Sequence, residues 1–77
     1  MKIYCITDNM ELEVGLKLAG CDGITLQNEE EINDKIDEML KNKEIGILIL
    51  SQKIYEQSKE KVDYIKLNNK LPLITII

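Results

Sequence analysis

The most restrictive feature of the sequence is the run Ile45–Leu50, in which no side chain is charged or polar. An amphipathic helix or a half-exposed strand would bring polar residues into such a run at a regular spacing. A short run that is apolar throughout is typical of an interior strand of a parallel sheet, because both faces of that strand are covered. Ile45–Leu50 therefore predicts the centre of a small α/β domain.

The composition is that of one small domain with an acidic surface. The chain has 77 residues, and its 10 basic residues, all lysine, stand against 14 acidic residues, for a net charge of −4 at pH 7. An acidic surface repels phosphate backbones, so we expect no nucleic-acid partner. The N-terminus lacks the pattern of a signal peptide, and no apolar run approaches the ~20 residues of a membrane span. We therefore expect a cytoplasmic protein without direct membrane insertion.

Several residue types that support catalysis are missing. The chain contains no histidine, no arginine and no glycine-rich phosphate loop. Histidine is the commonest general base and metal ligand, and arginine supplies the bidentate phosphate clamp. We therefore expect a non-catalytic protein without a metal site or a cofactor. We also expect two unpaired cysteines, because Cys5 lies inside a strand pattern and Cys21 follows a helix end.

The elements follow one another in a regular alternation. In the first half, a strand is predicted over Lys2–Thr7, a helix over Met10–Ala19 that ends at a left-handed Gly20, and an edge strand over Ile24–Gln27. The second half starts with an acidic helix that Asn28 caps.

The remaining elements complete the pattern. After the central strand, one continuous helix is predicted, with Ser51 as its N-cap, and Leu71–Ile77 forms the last strand. The order βαβαβαβ with right-handed crossovers predicts a small Rossmann-like (flavodoxin- or receiver-like) three-layer fold. Its four-stranded parallel sheet is expected to have the strand order 2-1-3-4.

Ligands of such folds bind beyond the carboxyl ends of the strands, where the first and third strands meet. Asp8 is placed like an acid of a response-regulator receiver, but Ser51 stands where the phosphoacceptor aspartate is needed. Cys5 comes too early in its strand for the phosphocysteine of a sugar-transport domain. Asp8 and Glu11 could hold Mg²⁺, although a turn acid beside an exposed helix acid explains them equally simply. None of these sites is favoured by the sequence.

Several segments resemble, in order, the F subunit of the V-type (archaeal/vacuolar-type) ATP synthase. They are the turn at Asp8, the helix end Gly15–Gly20, the strand Ile45–Ser51 and the segment Ile65–Leu73 before the last strand. The chain departs from the family at Leu16 and Lys17, where Phe and Arg are common. Family members also continue past the fourth strand, so we expect residues 1–77 to be the single N-terminal domain of such an F subunit, without the C-terminal tail.

The resemblance implies a non-catalytic part of the central rotor stalk. Such a protein binds the coiled-coil D subunit, which forms the shaft, and acts on the catalytic A/B ring indirectly. It supports the rotary coupling of ATP synthesis or hydrolysis to the transport of hydrogen or other ions. The expected location is cytoplasmic and peripheral to the membrane, as part of the synthase complex. The alternative is a stand-alone receiver-like or phosphotransfer domain, in which a phosphodonor should modify Asp8 or Cys5.

Two neighbouring elements are the candidates for the contact with the shaft. The helix Met10–Ala19 is apolar around more of its circumference than one buried face requires, and its glycine leaves room for a partner's backbone. The edge strand Ile24–Gln27 is half polar. The candidate partner-binding residues in these two elements are Gly15, Leu16, Lys17, Ile24 and Leu26.

Overall fold

The computed structural model describes residues 1–77 as an alternation of strands and helices. The elements are β1 (Lys2–Thr7), α1 (Met10–Leu18), β2 (Asp22–Thr25), α2 (Glu29–Lys41), β3 (Ile45–Leu50), α3 (Gln52–Gln57), α4 (Lys59–Asn68) and β4 (Leu73–Ile76). The four strands form one sheet, all parallel, in the order β2-β1-β3-β4. The predicted fold class and strand order are confirmed. No helix has the length and apolar content that crossing a membrane requires.

The hydrophobic core lies on one face of the sheet, under α2, α3 and α4. Side chains of β1 and β3 meet apolar side chains of these helices in a cluster of 10 buried residues. The cluster consists of Ile6, Ile32, Ile36, Met39, Ile45, Leu48, Leu50, Ile54, Val62 and Ile65. Ile32, Ile36 and Met39 lie one or two turns apart on α2, so a single face of that helix enters the core.

Asparagine side chains fix where the first two helices begin. The Asn9 carboxamide oxygen accepts hydrogen bonds from the backbone N–H groups of Glu11 and Leu12. The Asn28 oxygen does the same for Glu30 and Glu31 at the start of α2, as the sequence predicts. These bonds satisfy backbone donors that have no partner inside the helix.

Three elements differ from the prediction. The last strand covers Leu73–Ile76, not Leu71–Ile77. The edge strand lies at Asp22–Thr25, not Ile24–Gln27, because it pairs with β1 from Tyr4 to Thr7 and that register ends at Thr25. The predicted single helix after the central strand is two helices, α3 and α4, which meet at Ser58. The Ser58 hydroxyl donates to the carbonyl of Ile54, at 2.7 Å, and Ser58 itself has the non-helical φ of −129°. A serine bond to the carbonyl four residues earlier bends a helix.

Candidate protein-binding surface

The crevice between the ends of β1 and β3, where ligands of such folds bind, is bridged by the chain's own side chains. Ser51 is the N-cap residue of α3, as predicted, but its side chain makes no capping hydrogen bond. Its hydroxyl instead donates to Oδ1 of Asp8 at 2.7 Å, and the Asp8 N–H donates back to Ser51 Oγ at 3.3 Å. The carbonyl of Asp8 also accepts a hydrogen bond from Nε2 of Gln27, at 2.9 Å. The side chains at this end of the sheet are thus engaged with one another.

The cysteines do not form a nucleophilic site either. Cys5 is fully buried, and Cys5 and Cys21 are both free thiols, as predicted. Burial raises the pKa of the Cys5 thiol to about 11, with smaller contributions from Cys21 and the Glu13 carboxylate. Because the thiolate is the reactive form, a buried neutral thiol is inert at physiological pH.

The structure offers no metal-ligand cluster, and the larger depressions of its surface are open to solvent. No group of three or more Cys, Asp and Glu side chains is arranged so that it could hold a metal ion. A depression of about 500 Å³ between α2 and the α3–α4 turn is lined by eight residues, none of them hydrophobic. Ligand pockets are predominantly apolar with a few placed polar groups, so this depression is a solvated surface.

The second face of the sheet, on the side of α1, is only partly covered. Helix α1 contacts β1 and β2 and leaves β3 and β4 without a covering helix on this side. The residues concerned are paired in register, Ile47 with Leu73 and Ile49 with Thr75, so they point to the same face. Ile77 continues the alternation at the end of β4. These five residues, Ile47, Ile49, Leu73, Thr75 and Ile77, are called the open face below.

The open face explains a departure from the prediction for the central strand. Ile45–Leu50 was expected to be covered on both faces, and Leu48 and Leu50 are indeed fully buried. Ile47 and Ile49 are only partly buried, because nothing packs over them. Beside them, the Leu73 side chain is 58% exposed and that of Ile77 is 51% exposed.

Helix α1 is unusual for a helix on a parallel sheet, because it has no fully buried residue. Leu12 and Leu16 are partly buried on its sheet side. On its outer side Met10, Val14 and Leu18 are exposed. The helix therefore presents apolar side chains both to the sheet and to solvent.

Three of the candidate residues from the sequence lie together on α1. Gly15 is exposed, and a Cβ added there would meet no atom within 4 Å. Lys17 is exposed and pairs with Glu13 at 2.6 Å, while the other oxygen of Glu13 accepts the hydroxyl hydrogen of Thr25 on β2. This pairing raises the pKa of Lys17 and lowers the pKa of Glu13. Leu16 is partly buried.

The other two candidates lie elsewhere. Ile24 and Leu26 are partly buried and pack against the main core cluster, on the face of the sheet opposite to α1. The structure therefore does not join all five candidates in one surface. Leu73 and Ile77 are not among the five candidates, although the sequence shows that the last strand is apolar and carries no charge.

The comparisons with known proteins identify a family. A family model described as ATP synthase (F/14-kDa) subunit matches residues 3–77. No curated protein matches the chain. The resemblance noted in the sequence is confirmed by this match.

Proposed function

Because the chain belongs to the family of the ATP synthase (F/14-kDa) subunit, we propose that it is a non-catalytic part of the central stalk of a V-type ATP synthase. In this role it docks on the coiled-coil D subunit, called the shaft subunit below, and supports the rotary coupling of ATP synthesis or hydrolysis to ion transport. It meets the catalytic A/B ring only indirectly, and it lies on the cytoplasmic side, peripheral to the membrane.

The observation that carries the proposal is the apolar surface on the α1 side of the molecule. Met10, Val14 and Leu18 are exposed on a helix that buries no residue completely. Exposed apolar residues that cluster on one side are typical of a protein-binding surface. Family membership favours this reading over a receiver-like or phosphotransfer domain, and the hydrogen bonds of Ser51 to Asp8 leave that alternative without a free acid pocket.

The proposed contact is centred on α1. Gly15 has free space above it and would admit the backbone of a partner helix. Lys17 is exposed on the opposite flank of α1, where it pairs with Glu13, so it would contact the partner only at the edge of the surface. Leu16 is partly buried, so it contributes only the accessible part of its side chain. Ile24 and Leu26 pack against the core on the opposite face of the sheet, so this contact does not include them.

The test is co-expression with the cognate shaft subunit, with Val14→Asp as the disrupting variant. Val14 is 53% exposed, so the change places a charge in the proposed contact without emptying the core. Lys17→Glu is less suitable, since it breaks the ion pair with Glu13 inside the domain.

We expect the unmodified chain to co-purify with the shaft subunit, and we expect Val14→Asp to weaken the complex about tenfold or more. The matched control is Tyr64→Asp, which introduces the same charge at an exposed residue of α4, on the opposite side of the sheet. A folded chain that does not associate with the shaft subunit at high micromolar concentration would contradict the proposal.

A further inference from the structure

We propose that the open face holds one α-helix of the shaft, packed on the sheet between α1 and the β4 edge. This inference rests on the proposed function and adds the location and chemistry of the contact. It extends the contact beyond α1 to residues of β3 and β4 that are not among the candidates from the sequence.

The first support is the asymmetry of the sheet. Strands of parallel sheets normally have helices over both faces. Here α2, α3 and α4 cover one face of β3 and β4, whereas α1 reaches only β1 and β2 on the other. The uncovered part is apolar except for the hydroxyl of Thr75. A helix at this place would complete the layer that α1 begins.

The second support is the size of the open face. Two adjacent strands span about 10 Å across the sheet, which equals the diameter of one α-helix. β4 has four residues, and a strand of that length measures about 13 Å, which a helical segment of about nine residues covers.

The same dimensions make the open face alone too small to hold a second copy of this chain. A patch of about 10 by 13 Å is far smaller than the ~800 Å² that each partner buries in a stable protein complex. A long coiled coil does not have this limitation, because its second helix can contact Met10, Val14 and Leu18 on the outer side of α1. The open face and α1 then form one continuous interface.

The third support is the shape of α1 beside the open face. The Glu13 carboxylate accepts a hydrogen bond from the hydroxyl of Thr25 on β2, so the flank of α1 that carries Glu13 faces β2. Helical spacing places Gly15 and Ala19, four residues apart, on the other flank, which faces β3. Because the side chains on this flank are small, a second helix can approach the backbone of α1 closely there.

The charges at the two ends of the open face define the chemistry of the partner helix. Asp8 and Glu11 lie at the carboxyl ends of the strands. Lys2, Lys43 and Glu44 lie at the amino ends, around a depression that Met1 also lines, and Glu44 pairs with Lys2 at 3.1 Å. The fitting helix therefore carries an apolar stripe, a basic side chain toward Asp8 and Glu11, and an acidic side chain toward Lys43.

The experiment compares two leucine substitutions that introduce the same charge on opposite sides of the molecule. Leu73→Glu changes the open face, and Leu67→Glu changes α4, where the leucine is 85% exposed. The dissociation constant for the purified cognate shaft subunit is measured by titration calorimetry for the full chain and both variants. We expect Leu73→Glu to weaken binding by about tenfold or more, and Leu67→Glu to change it by less than about twofold.

A second variant keeps the test informative if Leu73→Glu unfolds. Thr75→Arg places a bulky cation on the open face at an exposed position, and the same loss of affinity is expected. Binding that is unchanged in both folded variants overturns the inference while leaving the proposed function intact. Absence of binding by the unmodified chain overturns both. Sedimentation shows whether a second copy of the chain occupies the open face instead. If the unmodified chain is a dimer, and Leu73→Glu dissociates the dimer but binds the shaft subunit with unchanged affinity, the inference is also overturned.

Discussion

At the scale of single residues, Cys5 has the most perturbed environment in the domain. Its side chain is fully buried on the α1 side of the sheet, beneath the helix that also carries Glu13. Burial, supported by Cys21 and Glu13, raises the pKa of the thiol from 9.0 to about 11. The folded state therefore retains this proton over a pH range in which the unfolded chain releases it.

The consequence is a loss of stability in alkaline solution. Because the folded pKa is the higher one, the contribution of Cys5 is complete below about pH 8.5 and is lost as the pH rises through 9 to about 11. We expect this contribution to the free energy of unfolding to amount to about 2 kcal/mol at its largest.

Urea denaturation at pH 8 and at pH 10.5 measures the effect, and Cys5→Ala is the control. Other groups, among them Tyr4, also titrate in this range, so the quantity of interest is the difference between the two proteins. Equal pH dependence of the wild type and Cys5→Ala would show that burial does not perturb this thiol.

The hydrogen bonding of Ser51 could not be predicted from its neighbours in the sequence. A serine before a helix is a good N-cap, and the sequence predicts that role. Its hydroxyl instead bonds to Asp8, which is 43 residues away along the chain. Asp8 follows β1 and Ser51 follows β3, so only the pairing of these two strands brings the residues together. A local sequence pattern does not show which strands pair.

At the scale of elements, α1 offers a test of why it contains a glycine. Gly15 does not have a positive φ, and a Cβ added there would meet no atom within 4 Å. Gly15→Ala is therefore expected to raise the free energy of unfolding by about 0.5–1 kcal/mol, since alanine is the better helix former. If the glycine serves close approach of the shaft, the same variant weakens binding to the shaft subunit.

Thermal unfolding and binding measured on the same variant distinguish these roles. The control is Gly20→Ala, because Gly20 has a φ of 96° and terminates α1. That change should lower stability by about 1 kcal/mol. A Gly15→Ala protein that is more stable and binds the shaft subunit with unchanged affinity would assign no role in the contact to this glycine.

The elements were predictable to the extent that local signals define them. Asn28 and the apolar spacing of α2 predicted that helix with its start, and Gly20 predicted the end of α1. The break at Ser58 was not predicted, because the apolar stripe continues across it into α4. The edge strand was displaced because its register with β1, rather than its own alternation, determines where it starts.

At the scale of the whole molecule, the distribution of residue types predicts the absence of nucleotide chemistry. The chain has no arginine or histidine, and Asp8 at the usual ligand end of the sheet is bonded to Ser51. We expect titration calorimetry with Mg-ATP to give no binding in the micromolar range. The control is a nucleotide-free buffer titration, and a micromolar dissociation constant would refute the proposal of a non-catalytic role.

The fold was more predictable than the binding surface. The apolar run of β3 and the alternation of elements were sufficient for the sheet and its order. An apolar run in β3 is expected in two cases: when the chain itself covers the second face of the strand, and when another molecule covers it. Ile47 and Ile49 were therefore assigned to the interior, and the open face became visible only when α1 was placed over β1 and β2.

The strand order also has a consequence for biosynthesis. Of the four strands, β1 is synthesised first, and it lies inside the sheet, paired with β2 on one side and β3 on the other. Lys2 pairs with Ile45, so β1 acquires its second neighbour only after α1, β2 and α2 have been translated. Until then the nascent chain holds one strand pair with α1 and α2, and Ile6 still lacks its core partners on β3, α3 and α4. Folding of the sheet is thus delayed until β3 has emerged, and the apolar β1 stays accessible to chaperones throughout that interval.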